Sequence, residues 1–153
     1  MKSRRRSERR REERRPIGAV RALIRAINAR RVDRIVALLT DNHRFIDSLG
    51  NVIRGGDQVA AGFAAYFKMV PDYRIDVAHM LAEGNTVLVW GSAQGSYVPQ
   101  GQDTALGHWQ MPAAWRAIVR QGRVAEWQVY ADNEPVRALM RESSFDGKGV
   151  NAQ

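Results

Sequence analysis

Cysteine is absent from this chain of 153 residues. Its absence excludes a disulfide framework, a thiolate nucleophile and any cysteine-ligated zinc or iron–sulfur site. Long apolar runs are absent as well, since none approaches the roughly 18 residues needed to cross a bilayer. The N-terminal segment is charged where a signal peptide requires an apolar stretch. These absences predict a soluble cytoplasmic protein.

Several motifs of catalysis and cofactor binding are also missing. The sequence has no glycine-rich phosphate loop, no Gly-x-Ser-x-Gly elbow and no dinucleotide-binding fingerprint. Its three histidines, His43, His79 and His108, are scattered, without a His-x-x-x-His pair or a clustered carboxylate. That pattern is poor for metal ligation. We therefore predict neither a metal nor a cofactor.

The net charge of +8 is concentrated at the N-terminus. Residues 1–15 hold nine basic and three acidic side chains and, after Met1, no apolar one, so we expect a disordered or transiently helical tail. Such a tail could bind nucleic acid or acidic partners nonspecifically, be an inert extension, or follow from a start assigned upstream of the natural one. Arginine outnumbers lysine 21 to 3, as in high-GC coding, and no aromatic residue interrupts the tail to stack on bases. We favour the second or third alternative and expect no nucleic-acid partner.

The rest of the chain predicts helices first and strands afterwards. Apolar residues at three- and four-residue spacing predict helices over 17–29 and 32–39, and Asp57 precedes a third helix that Pro71 ends. A short strand pair lies between the second and third helices. Alternating segments then predict four strands in hairpin order, over 73–81, 86–97, 105–120 and 123–131. We expect a folded domain over 16–141, closed by a short helix, and a polar tail over 142–153.

This order of elements is α+β, with the helices covering one face of an antiparallel sheet. A strongly bent sheet with helices across its mouth encloses a hollow. That hollow is where a small molecule would bind.

Two segments strengthen this interpretation by resemblance. The turn and strand at 121–132, Gln-Gly-Arg-Val-Ala-Glu-Trp-Gln-Val-Tyr-Ala-Asp, and the Phe45-Ile46-Asp47 segment that leads to Arg54-Gly55 and a helix resemble the SnoaL-like group of the nuclear-transport-factor-2-like superfamily. The resemblance covers residues 17–141. It implies a cystatin-like cone in which three N-terminal helices pack on a strongly curved antiparallel sheet, and homodimers are common in this superfamily.

The resemblance is weaker for activity, because the superfamily includes polyketide cyclases, steroid isomerases, scytalone dehydratases, limonene epoxide hydrolases and non-catalytic binding domains. Steroid isomerases need a tyrosine on the first helix and an acid on the long strand, where this sequence has Leu23 and an apolar run at 111–114. Epoxide hydrolases need an Arg-x-Asp on a central strand, which 90–93 does not supply. Both activities are disfavoured.

Asp47 is the strongest catalytic candidate. The resemblance places it where steroid isomerases carry their proton-shuttling aspartate, and a carboxylate facing an apolar cavity would have a raised pKa suited to proton transfer. The alternative is an aspartate at a strand end that binds the amides of the turn over 48–51. The two interpretations carry about equal weight.

Asp132 and His79 complete the catalytic candidates. Asp132 resembles the late aspartate of the cyclases, but a helix cap is the favoured interpretation because a helix follows directly. His79 alternates with Ile75 and Val77, which predicts that it faces the cavity and acts as a general acid or base. A surface or otherwise satisfied histidine is the favoured alternative. In the predicted strand, alternation puts His108 on the face opposite to that of Trp109 and Met111, which predicts that His108 faces outward.

Large apolar side chains are the predicted wall of the cavity, because aromatic rings offer flat contact area to a ring-containing ligand. They are Phe45, Phe63, Tyr66, Phe67, Trp90, Met111, Trp115 and Trp127. Residues of the outer sheet face, such as Gln128 and Tyr130, are candidates for a dimer contact.

Three functional hypotheses follow. The leading one is binding of a small hydrophobic, carbonyl-bearing or ring-containing ligand, with cofactor-free isomerisation, cyclisation or dehydration by Asp47 as acid and base. The alternative is a non-catalytic ligand-binding or dimerisation module. The third is nonspecific nucleic-acid binding by the tail, which would weaken steeply with salt.

Overall fold

The computed structural model describes residues 2–13 and 15–146. Five helices and six strands follow one another in this part of the chain. They are α1 (Lys2–Glu13), α2 (Pro16–Asn28), α3 (Val32–Leu38), β1 (Leu39–Ile46), β2 (Val52–Arg54), α4 (Gly56–Met69), β3 (Arg74–Glu83), β4 (Thr86–Tyr97), β5 (Gly107–Arg120), β6 (Arg123–Ala131) and α5 (Glu134–Asp146).

The six strands form one curved, open sheet in the order β2-β1-β6-β5-β4-β3. The predicted α+β architecture is therefore confirmed, and the four late strands pair antiparallel in hairpin order as expected. One pair departs from the antiparallel prediction, because β1 lies parallel to β6, with Phe45 opposite Trp127. After β1 the chain forms β2, α4, β3, β4 and β5. The last strand, β6, then pairs with β1 and runs in the same direction.

α2 shows why the helices pack on the concave face. Pro16 occupies the start of the helix, where its missing N–H costs nothing. Val20, Leu23, Ile24 and Ile27 then recur at helical spacing, and all are at most 5% exposed. On the facing strand β5 the odd-numbered residues from Trp109 to Val119 are buried. Helix and sheet thus bury one continuous apolar core.

In the N-terminal segment, for which a disordered or transiently helical tail is expected, Lys2–Glu13 is helical. Arginine and glutamate are good helix formers, which accounts for a helix without an apolar face to bury. Its described side chains are exposed. The predicted polar C-terminal tail overlaps α5 up to Asp146, and residues 147–153 lie outside the described part. None of the helices in that part is long and apolar enough to cross a membrane.

Two of the buried side chains are polar, His43 on β1 and Glu126 on β6. His43 is 1% exposed, and its Nδ1 donates to the carbonyl oxygen of Val124 at 2.8 Å. Burial lowers the pKa of His43, although this hydrogen bond and the charge of Glu126 oppose the shift. Glu126 is 8% exposed and accepts from Arg44 at 3.0 Å and from Arg116.

Candidate functional site

A cavity of about 260 Å³ lies between α2, α4 and the concave face of the sheet. Its walls are mostly aromatic and aliphatic. The lining residues are Ile27, Phe45, Asp47, Ser48, Ile53, Val59, Gly62, Phe63, Tyr66, Tyr73, Ile75, Ala93, Trp109, Met111, Ala113, Trp115, Trp127, Val129, Ala131 and Asn133. No lysine, arginine or histidine is among these residues of the described chain.

Six of the eight predicted wall residues line this cavity: Phe45, Phe63, Tyr66, Met111, Trp115 and Trp127. Their rings hold one another in place. Trp115 and Trp127 stack with centroids 6.2 Å apart, and Phe45 meets Phe63 edge-on at 5.9 Å. Such ring pairs add about 0.5–1.5 kcal/mol each beyond the burial of their area. The wall is therefore formed before any ligand binds.

Phe67 and Trp90, the other two predicted wall residues, do not line the cavity. Phe67 packs behind Phe63, with ring centroids 5.7 Å apart, and so supports the wall from outside. Trp90 is 40% exposed on the outer face, the side of the sheet away from α2 and α4. The prediction for Trp90 was wrong because the buried neighbours Val87 and Val89 take the inward positions of β4.

His79 also lies on the outer face, contrary to the prediction from alternation. Val77 is opposite Gly91 and His79 is opposite Trp90, so Ala78 is an extra residue in β3. Regular pairing would have set His79 opposite Val89, which is 1% exposed and faces the core. The bulge reverses the facing of every later residue of β3. His79 is exposed, with its ring 5.1 Å from that of Trp90.

Asp47 lines the cavity and binds its own turn at the same time. Its Oδ1 accepts from the amides of Leu49 and Asn51, and its Oδ2 accepts from Asn51 Nδ2, all at 2.9 Å. Partial burial acts to raise the pKa of Asp47, but the hydrogen bonds from Asn51, Leu49 and Gly50 outweigh it and lower the pKa. The expected raised pKa is therefore wrong, and Asp47 is an ionised carboxylate at neutral pH.

Asp132 lies outside the cavity, at the N-terminal end of α5. It is exposed, and its Oδ1 accepts from the amide of Glu134 at 2.9 Å. This is the helix-capping arrangement that the sequence favoured over a catalytic one. The neighbouring Asn133 reaches the cavity instead and donates from Nδ2 to Ser48 Oγ at 2.6 Å.

Two tyrosines are among the residues that line the cavity. Tyr66 on α4 and Tyr73, just before β3, meet edge-on with ring centroids 5.1 Å apart. Burial raises the pKa of Tyr66 to about 12 and raises that of Tyr73 further, with Tyr66 nearby adding to the shift. Both hydroxyls therefore stay protonated and able to donate.

Sequence reasoning missed several lining residues that the fold brings in. Trp109 shares the facing of Met111, Ala113 and Trp115 on β5, so alternation carried the signal for it. Tyr73 is the first residue of the predicted strand 73–81 and alternates with Ile75, so the same signal was present for it. Asn133 had no periodic signal at all, because it lies between a strand and a helix.

Comparison with known proteins agrees with this architecture. The family model for the SnoaL-like domain matches residues 20–127. A candidate SnoaL-like polyketide cyclase from Shewanella denitrificans OS-217 superposes with a TM-score of 0.73 at 13% identity, covering 83% of this chain and 97% of that one. A similar candidate cyclase from Jannaschia sp. CCS1 gives 0.71 at 18% identity, with 81% and 90% covered.

A third similar structure is an LEH-like epoxide hydrolase from M. tuberculosis, with a TM-score of 0.68 at 23% identity, covering 82% of this chain and 90% of that one. No curated protein matches the sequence. At these identities the solved structures establish the fold alone. The family match covers most of the folded unit, and with the cone-like arrangement of helices on a curved sheet it shows that the chain belongs to the SnoaL-like domain family.

Proposed function

We propose that this protein binds a small, hydrophobic, ring-containing molecule in the cavity between α2, α4 and the sheet. The observation that carries the proposal is a preformed apolar cavity walled by seven aromatic residues, which are Phe45, Phe63, Tyr66, Tyr73, Trp109, Trp115 and Trp127. Ligand pockets combine such apolar walls with a few polar groups. The polar groups here are Asp47, Ser48, Asn133 and the two tyrosines.

The volume limits the size of the ligand. A cavity of about 150 Å³ is enough to hold benzene. The 260 Å³ available here suits one substituted ring or a fused pair of rings. A larger polycyclic molecule would have to protrude or displace part of the wall.

A cavity-filling variant tests this proposal. Ala113 is 7% exposed and lines the cavity, whereas its neighbour Ala114 faces outward opposite Trp90. With 2-acetylnaphthalene as the probe, we expect saturable quenching of tryptophan fluorescence in the wild type and in Ala114→Phe. Ala113→Phe should abolish it, because the phenyl ring occupies the probe's space. Equal quenching in the two variants would contradict binding in this cavity.

Proton transfer by Asp47 stays part of the proposal in a narrower form. Asp47 is the one acidic residue lining the cavity in the described chain. Its lowered pKa favours the role of a base over that of an acid. Once a reactive ligand is found, Asp47→Asn should abolish turnover while binding persists. Unchanged turnover would exclude Asp47 as the base.

We also propose that two copies pair through the outer face of the sheet. Leu81, Leu88, Trp90 and Tyr130 are 40–61% exposed there, and Leu81 lies directly opposite Leu88. Contiguous exposed apolar side chains of this kind mark interaction surfaces.

The oligomeric state tests the pairing by light scattering. The wild type should have twice the chain mass of 17.2 kDa. Leu88→Lys should have the mass of one chain, because a charge would be buried at the contact. The control Leu106→Lys changes an exposed leucine that precedes β5 and should leave the pair intact. A wild type with the mass of one chain would contradict the proposal.

A further inference from the structure

Asp47 brings a negative charge to a cavity wall that has no positive one. It is the one acidic residue that lines the cavity, and no lysine, arginine or histidine of the described chain lines it. The hydrogen bonds of its turn lower the pKa of Asp47, so the carboxylate is ionised at neutral pH. A carboxylate beside an apolar surface, with no cation in the wall to balance it, favours a ligand that brings positive charge.

The turn does not use the whole carboxylate. Oδ1 accepts from the amides of Leu49 and Asn51, whereas Oδ2 accepts from one described group, Asn51 Nδ2. An ionised carboxylate offers about four acceptor positions, so one position on Oδ2 stays free. The neutral N–H donors of the turn also leave the net charge in place. Asp47 can therefore hold its turn and attract a cation at the same time.

Aromatic rings lie at the same end of the cavity as this carboxylate. Phe45 precedes Asp47 by two residues and lines the same cavity, which in an extended chain puts their Cα atoms about 7 Å apart. Phe45 lies opposite Trp127 in the paired strands and meets Phe63 edge-on at 5.9 Å. The faces of aromatic rings attract cations, and that of tryptophan attracts them most strongly. The carboxylate and the rings thus favour a ligand of the same charge.

The few polar groups of the wall limit the kind of cation. A primary ammonium group has three N–H donors, each of which needs an acceptor. Beyond Asp47, the polar residues that line the cavity are Ser48, Asn133 and two tyrosines, and Ser48 Oγ already accepts from Asn133. A fully methylated ammonium group has no N–H to satisfy, and aromatic rings bind it through their faces. The wall therefore suits a methylated ammonium group better than a primary one.

We infer that the cavity binds a ring compound that carries a methylated ammonium group, with the positive charge between the Asp47 carboxylate and the rings of Phe45, Phe63 and Trp127. This inference rests on the proposed binding function and adds the chemical class of the ligand. The rest of the aromatic wall contacts the ring of the ligand. The cavity of about 260 Å³ accommodates one ring with such a group.

Two isosteric probes separate binding of the charge from binding of the ring. Phenyltrimethylammonium carries the quaternary nitrogen, and tert-butylbenzene has a carbon atom in its place. Dissociation constants for both are measured by NMR titration of the ¹⁵N-labelled protein. The variants are Asp47→Asn, which keeps an acceptor for the turn without the charge, and Phe45→Leu, which keeps an apolar side chain without the ring. The matched control is Asp41→Asn, which removes an equal charge from a fully exposed side chain near the other end of β1.

We expect Asp47→Asn to weaken phenyltrimethylammonium binding by about three- to fivefold, because the attraction between opposite charges at a partly exposed site is lost. Binding of tert-butylbenzene to this variant should change by less than about twofold, since the probe has no charge. Phe45→Leu should weaken binding of the cation about two- to fivefold more than binding of the hydrocarbon. Asp41→Asn should change neither, because salt screens a charge about 20 Å away along the strand.

The outcomes distinguish this inference from the proposed function. Equal weakening of both probes by Asp47→Asn, or no weakening of either, would overturn recognition of the cation and leave cavity binding in place. Binding of tert-butylbenzene alone to the wild type would do the same. Phenyltrimethylammonium that still binds Ala113→Phe would lie outside the cavity, which also overturns the inference. Failure of both probes to bind the wild type would overturn cavity binding, and recognition of the cation with it.

Discussion

Gly91→Ala is the substitution for which the structure predicts the largest loss of stability. Gly91 lies on β4 opposite the bulge that turns His79 to the outer face. A Cβ atom built on Gly91 would lie 1.9 Å from the carbonyl oxygen of Asp76 and 2.9 Å from the amide nitrogen of Ala78. Both contacts are with backbone, so no side-chain rotation can relieve them. The strands would have to separate by about 1 Å or more.

The loss of stability follows from the interstrand hydrogen bonds that this separation weakens. It would weaken two or three interstrand hydrogen bonds, each contributing about 0.5–1.5 kcal/mol, and leave their donors and acceptors partly unpaired. We therefore expect Gly91→Ala to lower the free energy of unfolding by about 3–5 kcal/mol. A domain of this size has only about 5–15 kcal/mol in total, so the variant would be marginally folded.

Gly62→Ala is the matched control. Gly62 lies within α4, and a Cβ there would meet only Ile53 Cδ1, at 3.9 Å. Alanine has the higher helix propensity, so this variant should gain up to about 1 kcal/mol. Urea denaturation, monitored by circular dichroism and tryptophan fluorescence, measures the free energy of unfolding of both variants. A Gly91→Ala variant within about 0.5 kcal/mol of the wild type would refute the bulge and the outward orientation of His79.

Three further predictions concern polar side chains. Asp47→Ala should lower the free energy of unfolding by about 1–3 kcal/mol, and Asp47→Asn by less, because one oxygen still serves the turn amides; equal urea midpoints for the two variants would contradict this. Because burial lowers the pKa of folded His43, the unfolded chain takes up protons first, and stability should fall as the pH drops below about 6.5. In His43→Gln the free energy of unfolding should depend less steeply on pH between pH 7.5 and 5.5. A slope equal to that of the wild type would show that other groups cause the loss of stability. Glu126→Gln should lower the free energy of unfolding by about 1–3 kcal/mol, because Arg44 and Arg116, both partly buried, lose their charged partner. A thermal melting temperature equal to that of the wild type would contradict a stabilising role of Glu126.

The late strands could be predicted from the sequence because their turns are chemically marked. Gly84 separates β3 from β4, and Gln121 and Gly122 separate β5 from β6, all with positive φ. Alternation between these turns then gave the bounds of β4 and β6 as the structure has them. Aromatic residues on regular stretches, such as Trp115 and Trp127, followed the same logic into the cavity.

The wrong predictions arose where the pattern within one segment carries no information about the strand that pairs with it. Alternation predicted that His79 faces inward, but the extra residue Ala78 changed the register and has no periodic signature of its own. Periodicity likewise could not show that β1 would lie parallel to β6. The pKa of Asp47 depended on hydrogen bonds within its turn, an alternative that the sequence had left open.

The most direct test of the central claim is a crystal structure of the protein with 4-bromoacetophenone, located by the anomalous scattering of bromine. We predict one bromine peak inside the cavity bounded by Trp115, Trp127 and α4. A peak only on the outer face of the sheet, or an empty cavity at a probe concentration that fully quenches tryptophan fluorescence, would contradict ligand binding at this site.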